Sequence, residues 1–269
     1  MLTQGALAAA TYSNLSGQDL PANVTPVVLS YLPLAHIYEV NLTPSPHWDL
    51  AHIHSQRTFE LNVTASGGLI GYSTGSPLRL IEDLQILKPN VLPSVPRVLN
   101  RIYQAIAVNL KAPGLKGALL RRGVAAKLER LKQTGDHTHL FWDKLVFNKV
   151  RAIIGGRVDM LGTGSAPLNP EIMDFLRVTL VCDVIQGYGM TENCGTCTRV
   201  FPRDPTAAGT VGWPQSVNEM KLVDVPSMGY SVLDKPYPRG EICVRGANCF
   251  SGYYKSELPS PLPLHAFNV

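Results

Sequence analysis

The sequence predicts an α/β protein: a layered, largely parallel sheet with flanking helices, followed by a small β-rich subdomain. Over residues 1–204, short β-branched apolar runs alternate with segments of helical periodicity, a pattern typical of a parallel sheet covered by helices. Over residues 205–255, Pro, Gly and short Val or Ile runs replace that periodicity. The 269 residues, 45% of them hydrophobic, are enough to bury a sizeable core.

Each element of the first region is predicted from its own residues. Strands are expected where apolar, β-branched residues run together: 24–32, 68–73, 91–95, 158–161 and 181–186. Helices are expected where apolar residues recur about every 3.6 positions: 1–16, 78–87, 97–109, 115–132, 139–152 and 170–178. Pro170 fits the first turn of the last of these helices. The expected buried stripe of the helix 115–132 is Leu115, Leu119, Ala125, Leu128 and Leu131.

Two stretches fit neither region. Residues 40–66 read as an anomalous insert in a partial α/β domain, and residues 256–269 form an aberrant, proline-bearing tail. The insert carries His47, His52 and His54, which resemble a metal cluster but lack a framework of strands or helices. We therefore expect solvated loop histidines there.

Positive charge is concentrated in one segment. The net charge is +4, yet residues 97–157 hold thirteen Lys or Arg against three acidic residues. This basic block, at +10, could make peripheral contact with an anionic membrane or attract a phosphorylated ligand. The alternative is a solvated helical face. Base-reading motifs are absent, so no nucleic-acid partner is expected.

The cysteines and the N-terminus point to an intracellular protein. Five cysteines are an odd number thinly spread, which fits thiols in a reducing compartment. No apolar run reaches the roughly 20 residues that cross a bilayer, and no signal-peptide pattern opens the chain. The pair Cys194 and Cys197 lacks the second ligand pair that a structural zinc needs.

The most informative motif directly follows the apolar residues 181–185 of the predicted strand 181–186. It contains, in order, Gln186, Gly187, Tyr188, Gly189, Met190, Thr191 and Glu192. A glycine-flexible turn at the carboxyl end of a buried strand places an aromatic ring, a hydroxyl and a carboxylate where open α/β sheets bind ligands. Tyr188 could cover a base, Thr191 could donate to a phosphate, and Glu192 could hold Mg²⁺. Taken alone, the motif could equally be a structural turn.

A second small-residue turn precedes it by about twenty residues. Gly164, Ser165, Ala166 and Pro167 follow the strand near 158–161 and precede a helix. Small side chains let a ligand approach the backbone, and a helix N-terminus favours anions. If the two strands are neighbours, the two turns form opposite walls of one crevice.

Five ordered blocks of the chain resemble the long-chain acyl-CoA synthetases (long-chain fatty-acid–CoA ligases) of the adenylate-forming, AMP-binding superfamily. The resemblance covers nearly all of 1–255 except 40–66. It implies a two-step ligase reaction: a fatty carboxylate attacks the α-phosphate of ATP to give acyl-adenylate and pyrophosphate, and coenzyme A then displaces AMP. The blocks are residues 31–39, 94–103, 161–168, 186–192 and 235–246.

The resemblance also implies roles for individual residues. Gly164, Ser165, Ala166 and Pro167 would line the adenine and acyl sides of the site, in a cofactor-binding set that includes Gln186, Gly187, Gly189 and Met190. Tyr188 would stack on adenine, Thr191 would contact the phosphate, and Glu192 would bind Mg²⁺. His36 would lie near the α-phosphate at the mouth of the acyl channel; a purely structural histidine is the alternative.

The chain also departs from the family pattern. The Pro-Lys-Gly phosphate loop and the C-terminal domain with its catalytic lysine are not in these 269 residues. We therefore expect a fragment with little or no ligase activity of its own, in the cytosol or peripheral on the cytosolic face of the endoplasmic reticulum or another lipid-handling membrane. The alternative is a non-catalytic nucleotide- or acyl-binding remnant.

A serine hydrolase is a minor alternative. Residues 71–75 match the Gly-x-Ser-x-Gly elbow, with His265 downstream. The resemblance already accounts for this stretch, and His265 falls in the aberrant tail.

Overall fold

A computed structural model describes residues 2–16, 24–31, 60–76 and 78–253 of the chain. Its strands are β1 (Val27–Ser30), β2 (Leu69–Tyr72), β3 (Val91–Ser94), β4 (Met160–Thr163), β5 (Asp183–Tyr188), β6 (Thr198–Arg199), β7 (Trp213–Pro214), β8 (Asn218–Val223) and β9 (Glu241–Gly246). The first seven form one sheet in the order β2-β1-β3-β4-β5-β6-β7, and β8 pairs with β9 in a second sheet.

The main sheet is largely parallel, as predicted. Its first five strands in spatial order, β2, β1, β3, β4 and β5, pair in parallel. The two short strands β6 and β7 join the β5 side in antiparallel pairing. The carboxyl ends of β4 and β5 consequently lie at the same edge of the sheet.

Helices occupy the segments that the periodicity indicated. The α-helices are α1 (Gln4–Ser16), α2 (Leu80–Leu87), α3 (Pro96–Ala107), α4 (Gly114–Thr134) and α5 (Pro170–Leu180), with a helical run made of Leu140–Trp142, Asp143–Phe147 and Asn148–Arg151. Short 3-10 turns are Val108–Lys111, Ala152–Ile154, Thr191–Asn193 and Pro226–Met228. Residues 60–65 are helical as well.

The start of α5 shows why a helix begins there. Pro170 occupies the first helical turn, where its missing N–H is not needed. The Asn169 side chain accepts a hydrogen bond from the Glu171 N–H at 2.8 Å. This cap fixes the turn that leads from β4 into α5.

One hydrophobic core joins the sheet to its helices. Leu161 of β4 and Val184 of β5 are fully buried, and Met173 and Leu176 of α5 pack in the same cluster. The centre of this core therefore lies directly beneath the strands that end in the two glycine turns.

The predicted stripe of α4 is wrong at two of its five positions, whereas Leu131 is buried, Leu128 packs against the core and Leu119 is half-buried. Leu115 is 75% exposed and Ala125 is also exposed, whereas the buried face runs through Leu120, Lys127 and Leu131. That face also includes the apolar Val124, and Lys127 is buried on it in an ion pair with Asp143.

The division of the chain into regions stays a prediction. Strand β7, beyond residue 204, still belongs to the seven-stranded sheet, whereas β8 and β9 form a sheet of their own. His36, the insert up to residue 59 and the tail from 254 lie outside the described residues. In the part of the chain that is described, no helix is long and apolar enough to cross a bilayer.

Candidate functional site

The two glycine turns meet at one edge of the sheet. β4 and β5 are parallel neighbours, and Thr163 pairs with Gln186 at the last register position of β4. A β-carbon placed on Gly164 would lie 3.2 Å from the carbonyl oxygen of Gly187. The residues that sequence reasoning assigned to opposite walls are therefore adjacent.

The turn after β5 is tightly closed on itself. The N–H groups of Asn193 and Gly195 both donate to the Met190 carbonyl, at 3.3 and 3.0 Å. A β-carbon on Gly189 would lie 1.5 Å from the Gly195 carbonyl oxygen. No side chain fits at position 189, so glycine there is a steric requirement of this turn.

Helix α1 supports the same turn from one side. Ala6 and Ala10 are buried against Cys194, which ends the 3-10 turn. Further along the helix, Asn14 accepts a hydrogen bond from the Gln215 side chain at 3.0 Å. Small alanine side chains let the helix approach closely, so α1 is part of the scaffold of the site.

The segment after β9 supports the turn from the other side. Asn248 is fully buried and donates to the Asn193 carbonyl at 2.9 Å. The Phe250 N–H donates to the Glu192 carbonyl at 2.7 Å. These contacts join the small sheet to the site, although the segments are more than 50 residues apart in sequence.

Tyr188 ends β5 with its ring partly exposed. Its carbonyl accepts from the Cys197 N–H at 2.9 Å, and its hydroxyl has no partner among the described residues. Burial raises the pKa of Tyr188 to about 12, with smaller contributions from Cys197 and Glu192. The phenol therefore stays protonated and can donate a hydrogen bond.

Glu192 presents a partly exposed carboxylate beside Thr191. Its Oε1 accepts a hydrogen bond from the Tyr253 hydroxyl at 2.7 Å. That hydrogen bond, together with burial and the charge of Glu192, raises the pKa of Tyr253. The carboxylate is thus held in place by a residue 61 positions later in the chain.

The turn after β4 is more open. Ser165, Ala166 and Pro167 are exposed, and Ser165 has a φ of +75°, a conformation in which a side chain is strained. Such strain is commonly found at functional sites. This turn leaves backbone and small side chains accessible beside Gly187.

The buried side chain of Gln186 links β5 to the segment that follows the first turn. Its side-chain oxygen accepts from the Leu168 N–H at 3.2 Å, and its side-chain nitrogen donates to the Thr210 carbonyl at 3.0 Å. Gln186 is buried, so its observed contacts hold the crevice walls in register. Sequence reasoning placed it in the cofactor-binding set, and that role stays a prediction.

The rival motifs have structural explanations. Ser73 follows β2, but α2 starts only at Leu80, so the strand-Ser-helix geometry of a hydrolase elbow is missing. Thr74 donates both its N–H and its hydroxyl to Asp83, at 3.0 and 3.1 Å, which ties this turn to α2. His265 lies outside the described residues.

The Cys-x-x-Cys pair is buried. Burial raises the pKa of Cys194 and of Cys197 to about 11, which keeps both as thiols in the metal-free protein. Among the described residues no group of three or more His, Cys, Asp or Glu could hold a metal ion.

Sequence reasoning missed two residues that hold the site together, Tyr253 and Asn248. Both lie far along the chain from residues 191–193, and nothing in their local pattern marks them. His36 falls outside the described residues, so its predicted place beside the phosphate stays a prediction.

Comparisons with known proteins agree on one family. Residues 46–254 match the family model described as AMP-binding enzyme. The chain is 41% identical over 260 residues to long chain acyl-CoA synthetase 7, peroxisomal, of Arabidopsis thaliana, covering 96% of this chain and 34% of that protein. It is 37% identical over 238 residues to long-chain-fatty-acid–CoA ligase 5 of Rattus norvegicus, covering 88% and 31%.

Solved structures show the same fold. The A domain of carboxylic acid reductase from Segniliparus rugosus, in complex with AMP and a co-purified carboxylic acid, is 26% identical with a TM-score of 0.61, covering 93% of this chain and 32% of that one. A long-chain-fatty-acid–CoA ligase from Archaeoglobus fulgidus, 20% identical with a TM-score of 0.57, covers 96% and 41%. The curated relatives named above are longer proteins, and the chain spans about a third of their length.

Proposed function

The chain belongs to the AMP-binding enzyme family, and from this premise we propose that it forms the adenine-binding and metal-binding walls of a long-chain fatty-acid–CoA ligase. The reaction activates a fatty acid with ATP and transfers the acyl group to coenzyme A. The observation that carries the proposal is the adjacency of the two glycine turns at the carboxyl ends of β4 and β5. Open α/β sheets bind nucleotides at this edge.

The turn after β5 binds the nucleotide. The Tyr188 ring stacks on adenine, and the Thr191 hydroxyl donates to a phosphate oxygen. Gly187, Gly189 and Met190 contribute backbone groups. Because contacts on both sides hold the turn closed, these groups are in position before the nucleotide arrives, which limits the entropy lost on binding.

The turn after β4 forms the opposite wall. Gly164, Ser165, Ala166 and Pro167 lie between adenine and the acyl group. Their small side chains leave room for both ligands, since a large side chain here would fill the space beside Gly187. His36, which precedes the insert in sequence, is proposed at the α-phosphate.

The donor set around Glu192 fits Mg²⁺. Mg²⁺ typically takes one or two protein carboxylates and completes its shell with water and substrate phosphates. Glu192 offers one partly exposed carboxylate, already oriented by Tyr253, next to the Thr191 hydroxyl. When bound, the ion offsets the charge that develops on the departing pyrophosphate.

Compartment and membrane contact belong to the proposal as well. We place the protein in the cytosol, or peripherally on the cytosolic face of the endoplasmic reticulum or another lipid-handling membrane. Its basic block, residues 97–157, supports contact with anionic lipid.

Calorimetric titration with AMP tests the nucleotide site. We expect saturable binding that weakens about 5- to 150-fold in Tyr188→Ala, because stacking of a base on an aromatic ring is worth about 1–3 kcal/mol. Tyr237→Ala, at a side chain 77% exposed on another part of the surface, is the matched control. Equal affinity in Tyr188→Ala and Tyr237→Ala would refute the site.

Acyl-CoA formation from palmitate, ATP and coenzyme A separates a ligase from a binding remnant. The expectation of little or no turnover by these 269 residues alone stays a prediction. Sustained turnover that Glu192→Ala abolishes would contradict it and support the ligase directly. A nucleotide-binding remnant is expected to bind AMP without turnover and to lose that binding in Tyr188→Ala.

A further inference from the structure

The helical run from residue 140 to 151 has an unusual exposed face. Its exposed positions follow helical spacing and turn to one side: Leu140, Phe141, Lys144, Leu145, Asn148 and Lys149. Leu140 is 95% exposed, Phe141 61% and Leu145 43%. Single exposed apolar residues are ordinary, but a cluster on one face marks an interaction surface. We call these six residues the 140–149 face.

The opposite side of the run packs into the main core. Phe147 is fully buried in the main core, and Trp142, Val146 and Val150 pack against that core. Gly123 of α4 allows the close approach, since a β-carbon there would lie 3.0 Å from the Phe147 ring and 3.1 Å from Trp142. The run is thus anchored without its exposed apolar residues, which the described part of the chain leaves uncovered.

The charges around this face are positive. The carboxylates of the basic block are engaged elsewhere: Asp143 pairs with Lys127, Asp136 pairs with Arg130, and Glu129 accepts from Gln133. Lys144 and Lys149 form no ion pair with a described residue, and the 140–149 face itself carries no acid.

We propose that the 140–149 face docks on an anionic lipid surface. Leu140, Phe141 and Leu145 enter the boundary between headgroups and acyl chains, and Lys144 and Lys149 meet the lipid phosphates with their aliphatic stems against the apolar layer. A helical run lying in the plane of the interface allows all of these contacts at once. This inference rests on the proposed membrane contact and narrows it from the whole basic block to one surface.

A second copy of the chain is a poorer occupant. A symmetric pairing through this face would bring both copies of Lys144 and Lys149 into one interface, because the two subunits use the same patch. Like charges at a contact oppose association. A surface of negative headgroups matches both the lysines and the apolar residues.

Vesicle flotation of the purified chain tests the proposal. The probes are vesicles of phosphatidylcholine alone and of phosphatidylcholine mixed with phosphatidylserine, each at low and high salt. We expect binding to the mixed vesicles that falls several-fold at high salt, and little binding to the neutral ones. Equal binding to both kinds of vesicle, or no binding to either, would overturn it.

Two paired variants locate the contact. Lys144→Gln with Lys149→Gln should weaken binding about 25-fold, since each basic residue near such a membrane contributes roughly 1 kcal/mol, or about fivefold. The matched control is Lys221→Gln with Lys235→Gln, at two exposed lysines on or near the second sheet, which should change binding less than about twofold.

The apolar residues have their own matched pair. Leu140→Ser with Phe141→Ser should reduce binding at least tenfold even at low salt, whereas Leu233→Ser, at a side chain 81% exposed elsewhere, should not. Unfolding midpoints check that each variant folds, and exposed positions should leave them unchanged. If the Leu140 and Phe141 variant binds vesicles normally but dissociates a dimer in sedimentation equilibrium, the face is a self-association surface and the proposal fails.

Discussion

The two ends of strand β5 carry polar groups in opposite settings. At the amino end, Asp183 lies 3.6 Å from the Nδ1 of His137 and 4.0 Å from a guanidinium nitrogen of Arg177, and both partners are buried. At the carboxyl end, Tyr188 and Glu192 are partly exposed. Ionisable residues alone therefore do not mark the site; what distinguishes the carboxyl end is that the Glu192 carboxylate and part of the Tyr188 side chain remain accessible.

The amino end is a closed charge cluster. Arg177 is fully buried in α5 and donates to the Asp204 carbonyl at 3.0 Å, with Asp174 at 3.9 Å. Asp183 also accepts from the Arg203 N–H at 3.0 Å. These contacts tie α5 and the loop before β7 to β5, so we assign this end to stability.

Replacing Arg177 should have the largest effect on stability. Arg177→Ala leaves Asp174 and Asp183 without their buried cation, and loss of one partner of a buried ion pair costs about 3–5 kcal/mol. Urea unfolding measures it. Arg177→Met, which fills the same space without charge, should cost less. If Arg177→Ala lowers the free energy of unfolding by less than about 1 kcal/mol, the buried charge cluster does not stabilise the fold.

The second largest effect is expected from a methyl group at position 189, in the turn at the carboxyl end of β5. Gly189→Ala places a β-carbon 1.5 Å from the Gly195 carbonyl oxygen, and overpacking of this kind costs about 1–3 kcal/mol. AMP binding should fall with it, because Tyr188 and Glu192 flank the displaced backbone.

Gly164→Ala is the matched control, since its β-carbon would meet only the Gly187 carbonyl, at 3.2 Å. Unfolding and AMP titration of both variants give the comparison. Equal losses in the two would mean that the turn after β5 is no tighter than the turn after β4.

The sequence predicted the two turns at the edge of the sheet better than the packing and hydrogen bonds that support them. Alternating strand and helix patterns predicted a largely parallel sheet, and the glycines after each strand located the turns; that β4 and β5 are neighbours came from the structure. The buried face of α4 was predicted only in part: α4 carries apolar residues on several sides, and the periodicity selected Leu115 and Ala125 where the structure buries Leu120 and Val124.

The residues that support the site could not be predicted from local sequence patterns. Tyr253 reaches Glu192, and Asn248 reaches Asn193, only because the segment after β9 folds back on the turn. Periodicity and motif spacing report on neighbours in sequence, so pairings set by the packing of two sheets leave no signal there.

Acid should weaken the amino end of β5 through His137. Burial lowers the pKa of His137 below its usual value; Asp183 opposes this effect, while Arg177 and Lys127 add to it and Asp136 acts against it. The unfolded chain therefore takes up the proton more readily.

The stability due to neutral His137 is present above about pH 6.5 and is lost as the pH falls below it. Each pH unit costs at most about 1.4 kcal/mol for this one proton. Urea unfolding of the wild type and of His137→Gln at neutral and mildly acidic pH measures the slope. A slope as steep in His137→Gln as in the wild type would assign the loss to other groups.

The smallest effect is expected from Tyr253→Phe, which removes one hydroxyl at the carboxyl end. Tyr253 is 64% exposed, so the unfolding free energy should change by less than about 1 kcal/mol. The proposed binding site should respond more, because Glu192 loses the hydrogen bond that orients its carboxylate. We expect the gain in ATP affinity on adding Mg²⁺ to shrink a few-fold, with AMP affinity unchanged and Tyr237→Phe behaving as wild type. An undiminished Mg²⁺ effect would show that Glu192 needs no support from Tyr253, and the carboxyl end would then owe its geometry to the closed turn alone.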